Sequence, residues 1–339
     1  MSKVVLTNEE IDSIRGLLQE VSSRFESPED PEFLRQADVF AHELPRRVRA
    51  ALREFRLTEP KGALCVISGY PIDQEKIGRT PKHWKVKDPA NDTKEEEMLL
   101  VLFGSLLGDL IGWATQQDGR IVHDIFPIQG HEGEQLGSGS EQLLWWHTED
   151  AFHPYRGDYL GMMCLRNPDS VATTFASMEN VRLSPELFRL LSQPYFTIRP
   201  DESHLVKNRG NGAPEGELSE AYRKIEEMMS RPQKISVLFG SEESPYMRLD
   251  PYFMDPVQEN AEAQQALDTL IKQIDAVLED QVLQPGDFCF IDNFKAVHGR
   301  KPFQARYDGQ DRWLKRINIA RDLRPSRSMR VAADDRVIH

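Results

Sequence analysis

The chain is 339 residues long, with 55 acidic against 42 basic side chains and a net charge of −13. Hydrophobic residues make up 39% and charged residues 29%, the proportions of a soluble globular protein long enough to bury a sizeable core. The acidity speaks against duplex nucleic acid, whose phosphates want clustered Lys and Arg, but not against a small cationic substrate.

In chain order, Thr7-Asn8-Glu9-Glu10 fits a capping box, and Ile11, Ile14, Leu17, Leu18 and Val21 follow at helical spacing. This predicts an amphipathic helix. Further helices are expected from Leu44 to Phe55 and from Lys94 to Leu110, with a buried strand at Ala63 to Ser68 between them. From Arg120 onward short β-rich runs recur: Ile121 to Ile128, Tyr159 to Leu165, Val171 to Phe175, Ile235 to Phe239, Tyr246 to Asp250, Phe288 to Ile291 and Trp313 to Ile319. Turn signals such as Asn167-Pro168-Asp169 and Pro285-Gly286-Asp287 separate them. Two helical interruptions are expected, Leu218 to Met229 and Asn260 to Asp280. The pattern predicts an α+β chain with a sandwich or barrel-like β core wrapped by helices. No linker marks a boundary, so one domain, 1–339, is expected, with a mainly helical N-terminal region, residues 1–115, ahead of a catalytic β core, residues 116–325.

Cys65, Cys164 and Cys289 each stand in an apolar run far from the others, which predicts reduced core thiols and a cytoplasmic setting. Met1 to Arg24 lacks the basic start and unbroken apolar stretch of a signal peptide. The apolar stretch Met98 to Ala114 is broken by Ser105 and Asp109, so no membrane partner is expected. The chain contains no G-x-G-x-x-G, P-loop, G-x-S-x-G or C-x-x-C, which removes support for nucleotide, serine-hydrolase and zinc-ribbon readings. Gly137-Ser138-Gly139-Ser140 reads as a surface loop, with a lid over a pocket as the functional alternative.

Chemistry concentrates at Trp145-Trp146-His147-Thr148-Glu149-Asp150. In extended backbone His147 and Glu149 point to one face. Alone the pair is weak, since a chain of this composition supplies roughly one H-x-[DE] by chance. Downstream, however, His298 follows a turn-plus-strand signal, and Arg312 comes fourteen residues later. Two His and one carboxylate can fill one face of Fe(II) and leave positions for a co-substrate and oxygen. An Arg fork could hold the remote carboxylate of a keto acid. The two tryptophans are expected in the core, and His123, His131, His153 and His204 as core or surface histidines.

The stretches HTEDAFHPYRGDYLGMMCLRNPD, IDNFKAVHGRKPFQARYDG and DRWLKRINIARD resemble Fe(II)/2-oxoglutarate oxygenases of the clavaminate synthase-like group. Within it they resemble the bacterial L-arginine β-hydroxylases of peptide-antibiotic pathways. The resemblance runs from about His42-Glu43-Leu44-Pro45-Arg46-Arg47 to the C-terminus. It implies a double-stranded β-helix (jelly-roll) core, Fe(II) held by His147, Glu149 and His298, and O2 as a co-substrate. It also implies 2-oxoglutarate held through its distal carboxylate by Arg312 and Thr173. For the amino-acid substrate it implies Arg316 on the carboxylate, Gln116 and the second oxygen of Glu149 on the amino group, and Asp250 on the guanidinium. Asp201 and Ser203 match a lid. Where arginine hydroxylases can carry a second acid, this chain has Tyr252, whose phenol could donate a hydrogen bond or stack on a planar cation.

The implied reaction is hydroxylation of a free basic L-amino acid, foremost L-arginine at C3, with decarboxylation of 2-oxoglutarate to succinate and CO2. C4 hydroxylation, desaturation, an arginine derivative such as enduracididine, another basic amino acid and binding without turnover stay open. Halogenating relatives carry a small residue at the carboxylate position; Glu149 predicts no halogenation.

Overall fold

The computed structural model describes residues 2–86, 88–208 and 215–339, the side chains of 215–219 excepted. Strand β1 (Ser2–Val5) leads into helix α1 (Asn8–Arg24), which is closed by the expected box. Glu10 N–H donates to Thr7 Oγ1 at 3.3 Å, and Thr7 N–H donates to Glu10 Oε2 at 2.9 Å. The reciprocal pair satisfies two amides that a helix start leaves open. Helix α2 (Pro31–Ala41) was not foreseen, although Asp30 caps it and Pro31 opens it; it buries Phe33, Leu34, Ala37 and Phe40. Next come α3 (Arg46–Thr58), β2 (Leu64–Ser68), α4 (Lys94–Ser105) and β3 (Asp109–Trp113).

Helix α4 therefore ends five residues short of the expected Leu110. The cause lies at Gly108, where an added Cβ would meet the Ala320 carbonyl oxygen at 2.3 Å. Only a turn with no side chain lets the chain pass there and enter β3. The run Ile121 to Ile128 contracts to β4 (His123–Ile125), cut off by Pro127, which cannot donate to a ladder.

The second half supplies β5 (Leu144–His147), β6 (Tyr159–Arg166), β7 (Thr173–Ser177), α5 (Pro185–Leu191) and α6 (Glu215–Ser230). Then follow β8 (Leu238–Gly240), β9 (Pro245–Met247), α7 (Ala261–Ala276), β10 (Glu279–Gln281), β11 (Phe288–Asp292), β12 (Ala296–Arg300), β13 (Trp313–Ala320) and β14 (Val337–Ile338). Helix α5, capped by Ser184, is a third interruption beyond the two expected. The runs Ile235 to Phe239 and Tyr246 to Asp250 shrink to the hairpin β8–β9, with Ile235 making a single bridge to Phe196.

The large sheet runs β1-β2-β11-β6-β13-β3-β14, with β4 also on β13; the smaller runs β10-β7-β12-β5. Alternation along each strand assigns the faces. From the large sheet, Met163, Leu165, Ile317 and Ile319 point outward into a core shared with α1, α2, α3 and α4. From the small sheet, Trp146, Ala176 and Val297 point outward against α5 and α7. Leu160, Met162, Cys164 and Leu314 meet Phe175 and Ala296 between the two sheets. Each such large buried side chain contributes roughly 1.5–3 kcal/mol. The two layers form the jelly-roll core, closed by apolar side chains at one end and opening into a polar cavity at the other. Cys65, Cys164 and Cys289 are free and buried, as expected.

Candidate active site

A solvent-connected cavity of about 830 Å³ lies between the sheets. Its floor comes from Leu160 and Met162 of β6 with Arg312, Leu314 and Arg316 at β13; its opposite wall comes from His147, Thr173, His298 and Arg300.

Strand register brings the two histidines together. His298 of β12 pairs directly with His147 of β5, and Gly299 beside it lets the strands close up, since a Cβ there would meet the Leu144 carbonyl oxygen at 2.5 Å. His147 Nδ1 is 2.8 Å from the Trp145 carbonyl oxygen, which turns Nε2 toward the cavity. Glu149 Oε2 lies 3.7 Å from His147 Nε2 and 3.1 Å from His298 Nε2. The three ligating atoms fall within 4.8 Å of one another, a donor set of two imidazoles and one carboxylate open on one side. This arrangement fits a single Fe(II) and leaves its other face toward the cavity.

Burial opposes charge on His147, but Glu149 and Asp250 outweigh it and raise its pKa to about 9. Burial would likewise raise Glu149; Arg316 and the two histidines instead hold it well below the usual carboxylate range. Sequence reasoning missed what fixes the backbone that carries this carboxylate. Asn293, 144 positions away, accepts the Glu149 N–H at 2.6 Å and donates to the Glu149 carbonyl at 3.0 Å.

At one end of the cavity stands Arg312, buried, with its Nη2 donating to Thr173 Oγ1 at 3.2 Å. Among the described residues its Nε has no partner and no carboxylate pairs with it. Burial lowers its pKa to about 10. Arg300, which the sequence reading passed over, adds a second buried guanidinium whose partners are the carbonyls of Ser140 and Gln142, at 3.1 and 3.3 Å. Two desolvated cations without an anion make this end an acceptor for a carboxylate. The Ser140 and Gln142 contacts tie the foreseen glycine-serine loop to it, with Gly137 lining the cavity.

At the other end Arg316 is paired with the Oε1 atom of Glu149, the oxygen turned away from the histidines. Its Nη2 also reaches His123 Nδ1 at 3.0 Å and Gln116 Oε1 at 3.3 Å. Burial and Arg316 push His123 down to about 3, so the ring is neutral and accepts from the guanidinium. His123 is buried, as expected of a core histidine, but its Nδ1 faces Arg316 and its ring lines the adjoining cavity. Gln116 is set back toward an adjoining cavity, where it donates to Ser203 Oγ at 2.6 Å.

Asp250 lines the main cavity, accepting from the Tyr252 and Phe253 amides at 3.2 and 3.4 Å. Among the described residues no cation pairs with it, and burial raises its pKa to about 6. Tyr252 stands at the rim, 51% exposed. Asp201 and Ser203 border the cavity from a short turn and bond each other. Trp146 is in the core as expected, but Trp145 is not: it lies 38% exposed along the cavity wall.

Residues 89–318 match the family described as taurine catabolism dioxygenase TauD, TfdA family. The chain is 48% identical over 338 residues to an enduracididine beta-hydroxylase of Streptomyces hygroscopicus, covering 98% of both chains. It is 44% identical to an L-ornithine/L-arginine 3-hydroxylase of Catenulispora acidiphila, covering all of both. The crystal structure of the non-heme iron oxygenase OrfP in complex with Fe, succinate and (3S)-hydroxy-L-Arg matches with a TM-score of 0.94 and 46% identity over both full chains. The expected oxygenase resemblance and jelly-roll core are thereby borne out, and this chain belongs to the TauD/TfdA dioxygenase family.

Proposed function

We propose that this chain is an Fe(II)/2-oxoglutarate-dependent hydroxylase of a free basic L-amino acid, with L-arginine at C3 as the leading substrate and the whole chain acting as one catalytic unit in the cytoplasm. The observation that carries the reading is a complementary pair of unsatisfied charges in one cavity. Among the described residues, Arg312 is a buried cation and Asp250 a buried acid, neither in an ion pair, and both line the cavity that also holds the His147–Glu149–His298 cluster.

His147, Glu149 and His298 would hold the iron, His147 through Nε2 because its Nδ1 is engaged by the Trp145 carbonyl. When bound there, Fe(II) supplies the redox chemistry that decarboxylates 2-oxoglutarate to succinate and CO2 and delivers one oxygen atom to a substrate C–H bond. Arg312 and Thr173 anchor the distal carboxylate of 2-oxoglutarate and so set which of its ends reaches the cluster. Arg316 takes the substrate carboxylate in exchange for Glu149 Oε1. That oxygen, with Gln116, is then free to accept from the substrate amino group. Asp250 receives the guanidinium, with the faces of Tyr252 and Trp145 alongside. Anchored at both ends, the substrate presents its middle carbons to the cluster, and positioning of this kind accounts for much of such a rate enhancement.

Asp250, with Asp201 on the same cavity and aromatic side chains alongside, suits arginine or a cyclised guanidine as well as an ammonium. The test is a panel of arginine, enduracididine, ornithine and lysine incubated with Fe(II), 2-oxoglutarate and O2. Succinate is measured together with product mass and NMR. Arginine or its cyclic derivative is expected to give succinate, a product heavier by one oxygen, and the new hydroxyl on C3. A product lighter by two hydrogens, or a hydroxyl on C4, overturns the regiochemistry. Amino-acid binding with no succinate overturns the enzyme reading. Chloride in the product contradicts the role given to Glu149.

A further inference from the structure

Residues 201–208 pass beside the cavity in two short turns, Glu202–His204 and Val206–Asn208. Of these eight residues one is buried, His204, with no exposed surface. Its Nδ1 is 2.7 Å from Thr115 Oγ1 and its Nε2 is 3.1 Å from Asp150 Oδ1. The ring stands edge-on to Trp113 and Phe152, with centroids 5.7 and 4.8 Å apart.

Asp150 is the residue after Glu149, and its φ of 50° is left-handed, a conformation that a short polar side chain tolerates better than most. The left-handed kink separates the two neighbouring carboxylates. Glu149 faces the histidines, while Asp150 turns back into the protein to meet Trp113 Nε1 at 2.6 Å and Asn318 Nδ2 at 3.3 Å. Gln116 Nε2 is 3.4 Å from the other oxygen. Asp150, Asp201 and His204 gather closely enough to suggest a second cation site. Four donors already engage the Asp150 carboxylate, however, so the group is a closed hydrogen-bonded knot.

We infer that His204 is a positioning residue, the latch by which segment 201–208 is fastened through Asp150 to the turn that carries Glu149. The latch sets Ser203, and Gln116 bonded to it, relative to the Glu149 carboxylate before any substrate arrives. His204 itself touches neither the ligating atoms nor the cavity. Without it the substrate-facing groups lose their fixed place, while the Arg312 end is untouched. The inference rests on the reading that the cavity binds a basic amino acid.

The experiment compares wild type with His204→Ala, His204→Gln and Thr115→Val. In His204→Ala the KM for arginine is expected to rise about tenfold, the KM for 2-oxoglutarate to stay within about twofold, and hydroxylated product per succinate to fall to about half or less. His204→Gln, whose amide can still donate to Asp150, is expected to recover some of the coupling. Thr115→Val is expected to cost about twofold in arginine KM, and it decides the matter if His204→Ala does not fold. A fall in kcat or soluble yield with arginine KM and coupling unchanged means a structural role only and overturns the inference. If wild type turns over no basic amino acid, the functional reading fails instead. The latch is then read by limited proteolysis, where His204→Ala should be cut between 201 and 208 about fivefold faster, and equal rates overturn it.

Discussion

Arg312 and Arg316 lie four residues apart and face one cavity, yet they stand in opposite electrostatic states. Each carries a buried Nε without a partner among the described residues, but Arg312 meets only a hydroxyl there and is desolvated without an anion. Arg316 is already neutralised by Glu149 and further held by His123 and Gln116. The difference teaches that the Arg312 end, the proposed co-substrate end, is an open anion site, ready before binding. The Arg316 end, proposed for the substrate, is self-closed, and a carboxylate would have to displace Glu149 Oε1 to occupy it. On the proposed assignment, ordered binding is expected, with 2-oxoglutarate entering the preformed end and the amino acid rearranging the other.

The largest effect tests what both ends share. His298→Ala removes one of three converging donors and is expected to lower turnover at least about a thousandfold, with loss of Fe(II) affinity in an equilibrium titration. Retained iron binding and turnover would dissolve the comparison altogether.

Next, Arg312→Met is expected to raise the KM for 2-oxoglutarate about a hundredfold and leave that for arginine within about threefold, since charge-assisted bonds contribute about 1.5–3 kcal/mol each. Equal damage to both constants would show that the two ends are not separable.

Asp250→Asn should lower kcat/KM for arginine about tenfold to a hundredfold, read from initial succinate rates, with the 2-oxoglutarate constant unmoved. The same residue gives a pH test. Burial raises Asp250 to about 6, so its carboxyl is neutral below that pH and charged above it, whereas a guanidinium stays charged throughout. The arginine KM of wild type is therefore expected to rise as pH falls through about 6, and that of Asp250→Asn to stay flat. A profile of the same shape in both would remove Asp250 from the guanidinium site.

The smallest effect belongs to Tyr252, half exposed at the rim. Tyr252→Ala is expected to raise the arginine KM about twofold to fivefold, the scale of an exposed cation–π contact. Tyr252→Phe should change it less.

The sequence revealed the groups that local spacing carries. His147 and Glu149 sit two residues apart on an extended segment, and Arg312 and Arg316 share a face by strand alternation, so both pairs were legible. The capping box of α1 was legible for the same reason. Asn293, His123, Arg300 and His204 were not, because each acquires its role from a partner far along the chain. Asn293 holds a residue 144 positions away, and His204 meets Asp150 across 54. Helix α4 was read too long because the cause of its end, the Ala320 carbonyl against Gly108, lies on another strand. Helices α2 and α5 carry start signals in Asp30-Pro31 and Ser184-Pro185 that are visible in the sequence.

The most direct test is anomalous diffraction at the iron edge from crystals grown without oxygen in Fe(II), 2-oxoglutarate and L-arginine. One iron ligated by His147, Glu149 and His298 is predicted, with the keto acid's far carboxylate on Arg312 and the guanidinium on Asp250. Iron bound elsewhere, or arginine lying with its guanidinium away from Asp250, would contradict the assignment.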